Sequence, residues 1–86
     1  MVKESITVEI TLGLHARPIL HLVNALKTLD VKVTAYCEDR KANLNSVMEA
    51  MLMAVPCGKI LEVEADGPDE EKAVEAIKKV LAEKDL

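Results

Sequence analysis

The sequence predicts an α+β fold, an open-faced two-layer sandwich. Three segments alternate polar and apolar residues with the period of two that belongs to strands with one buried face, and a fourth, shorter segment can do the same. Two others repeat apolar residues at spacings of three and four, the stripe of an amphipathic helix, and a short helix is expected between a polar cap and a Pro-Cys-Gly break. Each strand offers one apolar face, so the helices must cover one side of the sheet and leave the other wet. With 86 residues the chain is expected to form one domain over 1–86, without linker or internal repeat.

The elements follow in order. From Ser5 to Leu12, Ser5, Thr7, Glu9 and Thr11 alternate with Ile6, Val8, Ile10 and Leu12, which predicts the first strand. Gly13 interrupts it, and Ile19, Leu22, Val23, Leu26 and Leu29 form the stripe of a helix from Ala16 to Leu29. Val31, Val33, Ala35 and Cys37 give a second strand rich in β-branched residues, followed by a polar turn from Glu38 to Lys41. Ala42 and Leu44 suit a short third strand. Asn45 or Ser46 then caps a short helix from Val47 to Val55, which Pro56-Cys57-Gly58 breaks. Leu61, Val63 and Ala65 alternate in a fourth strand that Gly67-Pro68 closes. Ala73, Val74, Ile77, Val80 and Leu81 line the last helix, with Asp69, Glu70 and Glu71 at its start and Lys78, Lys79 and Lys84 toward its end, complementing the helix dipole.

Composition narrows the function. Half of the residues are hydrophobic and 30% are charged, the balance of a folding chain. The net charge of -4 offers no general attraction to nucleic acid or an anionic membrane, and Tyr36 is the only aromatic residue available for base stacking. Nucleic acid is therefore not an expected partner. The longest apolar run, Ala50 to Cys57, is far short of the roughly 20 residues that span a bilayer, and the N-terminus lacks the pattern of a signal peptide. Two cysteines, Cys37 and Cys57, form neither a disulfide framework nor a metal set, so a reducing cytoplasm, no membrane insertion and no metal site are expected.

The residues with chemical potential gather where the first strand hands over to the first helix, in Gly13-Leu14-His15-Ala16-Arg17-Pro18. Pro18 in the first turn gives up an N–H that has no helical partner anyway. His15 falls near the N-cap, where unpaired backbone N–H groups and the positive dipole end would meet a phosphate held by its imidazole. Arg17 can add a charge-assisted contact. Taken alone, His15 reads sooner as a solvated side chain beside a cap than as a functional residue, and Ser46 as a simple helix cap. The helix after Ser46 carries more apolar residues than one buried stripe absorbs. Met48 and Met51 are expected to be partly exposed, and Leu52 and Val55 to be core, with Met53 open between the two. His21 sits on the polar side of the first helix and reads as solvated.

The segment around His15 resembles the phosphorylation motif of the HPr family, the histidine-containing phosphocarriers. Asn43-Leu44-Asn45-Ser46-Val47-Met48-Glu49-Ala50-Met51 is similar to that family's regulatory serine region, and Gly58 and the closing acidic helix also match. The resemblance implies a β-α-β-β-α-β-α order with a four-stranded antiparallel sheet covered on one face by three helices. It implies a phosphocarrier of the bacterial phosphoenolpyruvate-dependent sugar phosphotransferase system. There His15 accepts a phosphoryl group from phosphorylated enzyme I and passes it to sugar-specific IIA components, with Arg17 and the backbone amide of Ala16 holding the group. It further implies phosphorylation of Ser46 by an HPr kinase/phosphorylase, recruitment of a transcriptional regulator, and a docking surface of Leu20, Val47, Met48 and Met51. Such a protein is a carrier rather than an enzyme, needs no cofactor, and is expected to be a monomer.

The match departs from the family pattern at Leu12, where a small polar residue is usual, and at Ile19 and Leu20, where small residues are frequent. Glu49 replaces a common glycine near Ser46, and Asp39 and Arg40 replace a turn glycine. Two other functions fit some of the residues: a purely regulatory HPr-like protein acting by binding partners through Ser46 and the methionines, and a small adaptor domain without phosphoryl chemistry.

Overall fold

The computed structural model describes Met1–Leu86. Seven elements occur in the order β1 (Val2–Thr7), α1 (Ala16–Lys27), β2 (Lys32–Cys37), β3 (Arg40–Asn43), α2 (Val47–Met51), β4 (Ile60–Asp66) and α3 (Glu70–Leu81). The strands form one antiparallel sheet in the order β1-β4-β2-β3, so the last strand in sequence lies between the first two. Ile6, Val33, Ala35, Cys37, Ala42, Leu61, Val63 and Ala65 point from the sheet into the core, where Ile19, Leu22, Val23 and Leu26 of α1 and Ala73, Val74, Ile77 and Leu81 of α3 cover them. The core of 23 buried residues contains no polar or charged side chain. Lys3, Ser5, Lys32, Thr34, Tyr36, Glu62 and Glu64 line the other face, exposed or half-buried. On that face Glu64 raises the pKa of the Tyr36 phenol, first through a hydrogen bond to its carboxylate.

The fold class and element order agree with the sequence, but several boundaries move; the third strand, for one, begins at Arg40, inside the stretch expected as a turn, and ends at Asn43, before Leu44. The first strand is Val2–Thr7, not Ser5 to Leu12. The alternation continues inward at Val8 and Ile10, both fully buried, while the backbone changes partners. Val8 still exchanges hydrogen bonds with Gly58 and Lys59, but the Glu9 N–H donates to the Leu81 carbonyl and the Thr11 N–H to that of Lys84. Leu12, expected on the buried side, turns outward at 76% exposure. Helix α1 ends at Lys27 rather than Leu29, with Thr28 as C-cap and its hydroxyl donating to the Ala25 carbonyl. The second strand begins at Lys32; Val31 stays half-buried beside it.

The largest difference concerns α2, which stops at Met51 instead of Val55. Met53 and Val55 are both buried, and two residues that are two positions apart cannot share one helix face. The chain therefore leaves the helix through Leu52 and the left-handed Ala54 (φ +50), and Leu52, expected in the core, is 78% exposed. Arg40, whose guanidinium donates to the Met53 carbonyl, pins this exit to the β2-β3 turn.

Candidate functional site

His15 occupies the N-cap position of α1 with extended backbone (φ -102, ψ -173). Its side chain does not cap its own helix. Instead Nε2 lies 3.0 Å from the main-chain oxygen of Leu86. A main-chain oxygen can only accept, so Nε2 is the donor of this hydrogen bond, and Nδ1 is the ring nitrogen left without a partner. The Ala16 and Arg17 amides, the first two donors of the helix, take no backbone partner, and Pro18 has no N–H. A half-buried imidazole thus stands beside two free amides, at a helix end whose first turn bears no acidic residue. Arg17 is exposed and forms no ion pair, so its guanidinium is available to an incoming anion.

Backbone contacts hold this loop in place. The Leu14 N–H donates to the Val55 carbonyl at 2.7 Å and the Gly13 N–H to that of Ile10 at 2.8 Å. Gly13 has φ +76, and a Cβ there would come within 2.7 Å of the Val55 oxygen and 3.3 Å of the Cys57 nitrogen. Only glycine fits, because the loop lies against the exit of α2. Cys57 in that exit is exposed, whereas Cys37 is buried. The elements that meet here carry most of the exposed apolar side chains of the chain: Leu12 and Leu20 on the His15 side, and Met48, Met51 and Leu52 on α2. Helices α1 and α2 touch each other, whereas Leu52 faces a shallow groove lined by Arg40, Lys41, Glu49 and Met53.

The family model for the PTS HPr component phosphorylation site matches residues 2–83. The chain belongs to the HPr family. The phosphocarrier protein HPr of Treponema pallidum (strain Nichols) is 36% identical over 84 residues, covering 98% of this chain and 96% of that protein. The phosphocarrier protein NPr of Escherichia coli (strain K12) is 39% identical over 74 residues, covering 83% of this chain and 82% of that one. The crystal structure of HPr-C-His from Thermoanaerobacter tengcongensis superimposes with a TM-score of 0.87 at 27% identity over the whole of both chains. As a member of the HPr family the chain is a phosphocarrier of the phosphotransferase system, a carrier rather than an enzyme in the ordinary sense.

The HPr residues singled out in the sequence fall in two groups. His15, Arg17, the Ala16 amide and Leu20 come together at the start of α1. Ser46, Val47, Met48 and Met51 sit on α2, with Val47 half-buried and both methionines exposed as expected. Ser46 is the N-cap of α2: its hydroxyl accepts from the Glu49 N–H at 3.3 Å. Asn45, the alternative cap, instead extends the sheet, accepting from the Val33 N–H and donating to the Val31 carbonyl. Glu49 turns its carboxylate back onto the Asn43 N–H at 3.1 Å, so that its charge lies at the entry to α2 beside Ser46. His21 is exposed, as its polar neighbours suggested. Leu86 was missed from the sequence, since nothing in its local pattern signals contact with a residue 71 positions away.

Proposed function

We propose that His15 is the residue that carries the phosphoryl group, receiving it from phosphorylated enzyme I and passing it to IIA components. The observation that carries this reading is the pairing of a donor role at Nε2 with an unoccupied Nδ1 at the N-cap of α1. The Nδ1 lone pair attacks phosphorus, the bond from phosphorus to the donor breaks, and the donor keeps that electron pair. The Ala16 and Arg17 amides and the Arg17 guanidinium then face the phosphoryl oxygens, where charge-assisted hydrogen bonds are strong. Leu20, Val47, Met48 and Met51 act as the docking surface, Leu20, Met48 and Met51 presenting exposed apolar side chains that a partner would cover, with half-buried Val47 between α2 and the core. The carrier works in the cytoplasm as a monomer, presenting one face to successive partners. No helix is long and apolar enough to cross a membrane.

The test is intact-protein mass spectrometry after incubation with phosphoenolpyruvate, magnesium and enzyme I. The wild type gains one acid-labile phosphoryl group and His15→Ala gains none. Absence of an adduct on the wild type defeats the reading. A second, regulatory role rests on Ser46, whose half-buried hydroxyl lies at the edge of the same docking surface. Phosphorylation there would add roughly two negative charges beside the apolar surface and weaken docking of acidic partners. Incubation with HPr kinase and ATP checks it: an acid-stable adduct absent from Ser46→Ala supports the role, and an unmodified wild type removes it.

A further inference from the structure

Arg40 and Glu49, two departures from the HPr pattern, meet beside the junction of β3 with α2. Ser46 and Glu49 are both bound there to the main chain of Asn43. The Ser46 N–H donates to the Asn43 carbonyl at 3.1 Å, and the Asn43 N–H donates to the Glu49 carboxylate, also at 3.1 Å. The Glu49 N–H donates in turn to the Ser46 hydroxyl at 3.3 Å. Hydroxyl and carboxylate thus share one ring of hydrogen bonds, in which the carboxylate carries the only charge. On its other flank Glu49 lines a shallow groove with Arg40, Lys41, Leu52 and Met53. The Arg40 guanidinium bonds the Met53 carbonyl and the Lys41 ammonium lies 5.9 Å from the centroid of the Tyr36 ring, but neither cation is in an ion pair. Glu49 therefore stands between a serine that can gain charge and two cations without a carboxylate partner.

We propose that a phosphate on Ser46 expels the Glu49 carboxylate from the Asn43 amide into the groove beside Arg40 and Lys41, where it lies over Leu52. This rests on Ser46 being a phosphorylation site, the second role given above. Transfer from ATP forms the bond from Oγ to phosphorus and breaks the bond from phosphorus to the ADP oxygen, which keeps that electron pair, while the hydroxyl proton passes to water. The serine then bears roughly two negative charges. One exposed hydrogen bond, worth about a fivefold preference, does not hold a carboxylate against like charges in the same ring. Rotation about the side-chain bonds of Glu49 releases it, and neither its N–H nor the helix has to move. Across the groove the carboxylate meets two cations instead of a phosphate, and the exposed side chain of Leu52 loses its access to a partner. Modification of Ser46 thereby alters the surface at two places, by charge at the serine and by cover over Leu52. A glycine at position 49 has nothing to move, so the exchange belongs to this chain and not to HPr proteins that keep the glycine.

The experiment installs phosphoserine at position 46 during translation of the full chain, independently of any kinase, and compares that protein with the unmodified one by NMR. The Asn43 amide loses its acceptor on phosphorylation and is expected to exchange with solvent about fivefold faster, the usual worth of one hydrogen bond. The Leu52 methyl resonances are expected to shift as the carboxylate arrives over them. Glu49→Gln is the control for charge. Its neutral side chain still offers an oxygen to the Asn43 amide but nothing for the phosphate to repel, so phosphoserine is expected to leave both signals of this variant unchanged. A general disturbance of α2 by the phosphate would show in both chains alike. The proposal is overturned if phosphorylated wild type keeps the protection of Asn43 or the methyl positions of Leu52, or if Glu49→Gln shows the same changes as wild type. Failure of the regulatory reading looks different: HPr kinase then leaves Ser46 unmodified, while the installed phosphate still moves Glu49.

Discussion

At the scale of single residues, the site depends on a few positions that tolerate no substitute. Gly13 combines a left-handed backbone with a backbone oxygen 2.7 Å from where its Cβ would be, and neither can shift without moving the exit of α2. Gly13→Ala is expected to lower stability by about 2 kcal/mol in chemical denaturation, because a non-glycine residue strained in this way costs about 1–3 kcal/mol. Ser46 acts through one hydrogen bond to the Glu49 amide, so Ser46→Ala is expected to lose about 1 kcal/mol by the same measurement. His15 and Arg17 were legible because their signals are local: a strand ending, a glycine, and a proline in the first turn of a helix. The partner of Nε2 was not legible, since a main-chain oxygen has no side-chain identity through which a sequence could announce it. Glu49 could be suspected as a charge near Ser46, but its turn back onto the Asn43 amide follows from the β3-α2 connection rather than from residue type.

At the scale of elements, α1 and α3 were readable because each has a clean apolar stripe and a polar back. The segment after Ser46 was not, because Val47 to Val55 is apolar nearly all round and its pattern cannot say which residues turn inward. Burial of Met53 and exposure of Leu52 resolve it. Met53→Ala is expected to cost about 2–4 kcal/mol for the cavity it leaves, whereas Leu52→Ser should change stability by less than about 0.5 kcal/mol. The first strand misled for the opposite reason. Its alternation is regular through Ile10, yet sheet pairing is set by partner backbone, which passes from β4 to the end of α3 after Val8. Helix α3 is also tied to β1 by the ion pair of Lys78 with Glu4 at 3.0 Å. The hydrogen bond to Glu4, and secondarily its charge, raises the pKa of Lys78. A lysine raised on folding contributes stability below its unfolded pKa and loses it as pH rises through the folded value. Lys78→Met is therefore expected to flatten the alkaline decline of the melting temperature, with a small effect near neutrality because the pair is exposed.

At the scale of the whole molecule, the strand order makes β4 the only strand other than β2 with neighbours on both sides, and it joins the N-terminal strand to the β2-β3 hairpin. Its amides are expected to exchange with deuterium most slowly and those of β3 at the sheet edge much faster, which hydrogen-exchange mass spectrometry would check. Uniform protection across the sheet would contradict this ordering. The sheet face that the helices leave wet is charged, and exposed Leu20, Met48 and Met51 lie instead on α1 and α2, where these two helices meet. The exposed thiol of Cys57, set in the exit of α2 that touches the Gly13 loop, stands at the rim of that meeting point, while the thiol of Cys37 is shielded in the core. A maleimide fluorophore would consequently attach at one position on the unaltered protein, and its emission would track each encounter of the carrier with a partner in real time.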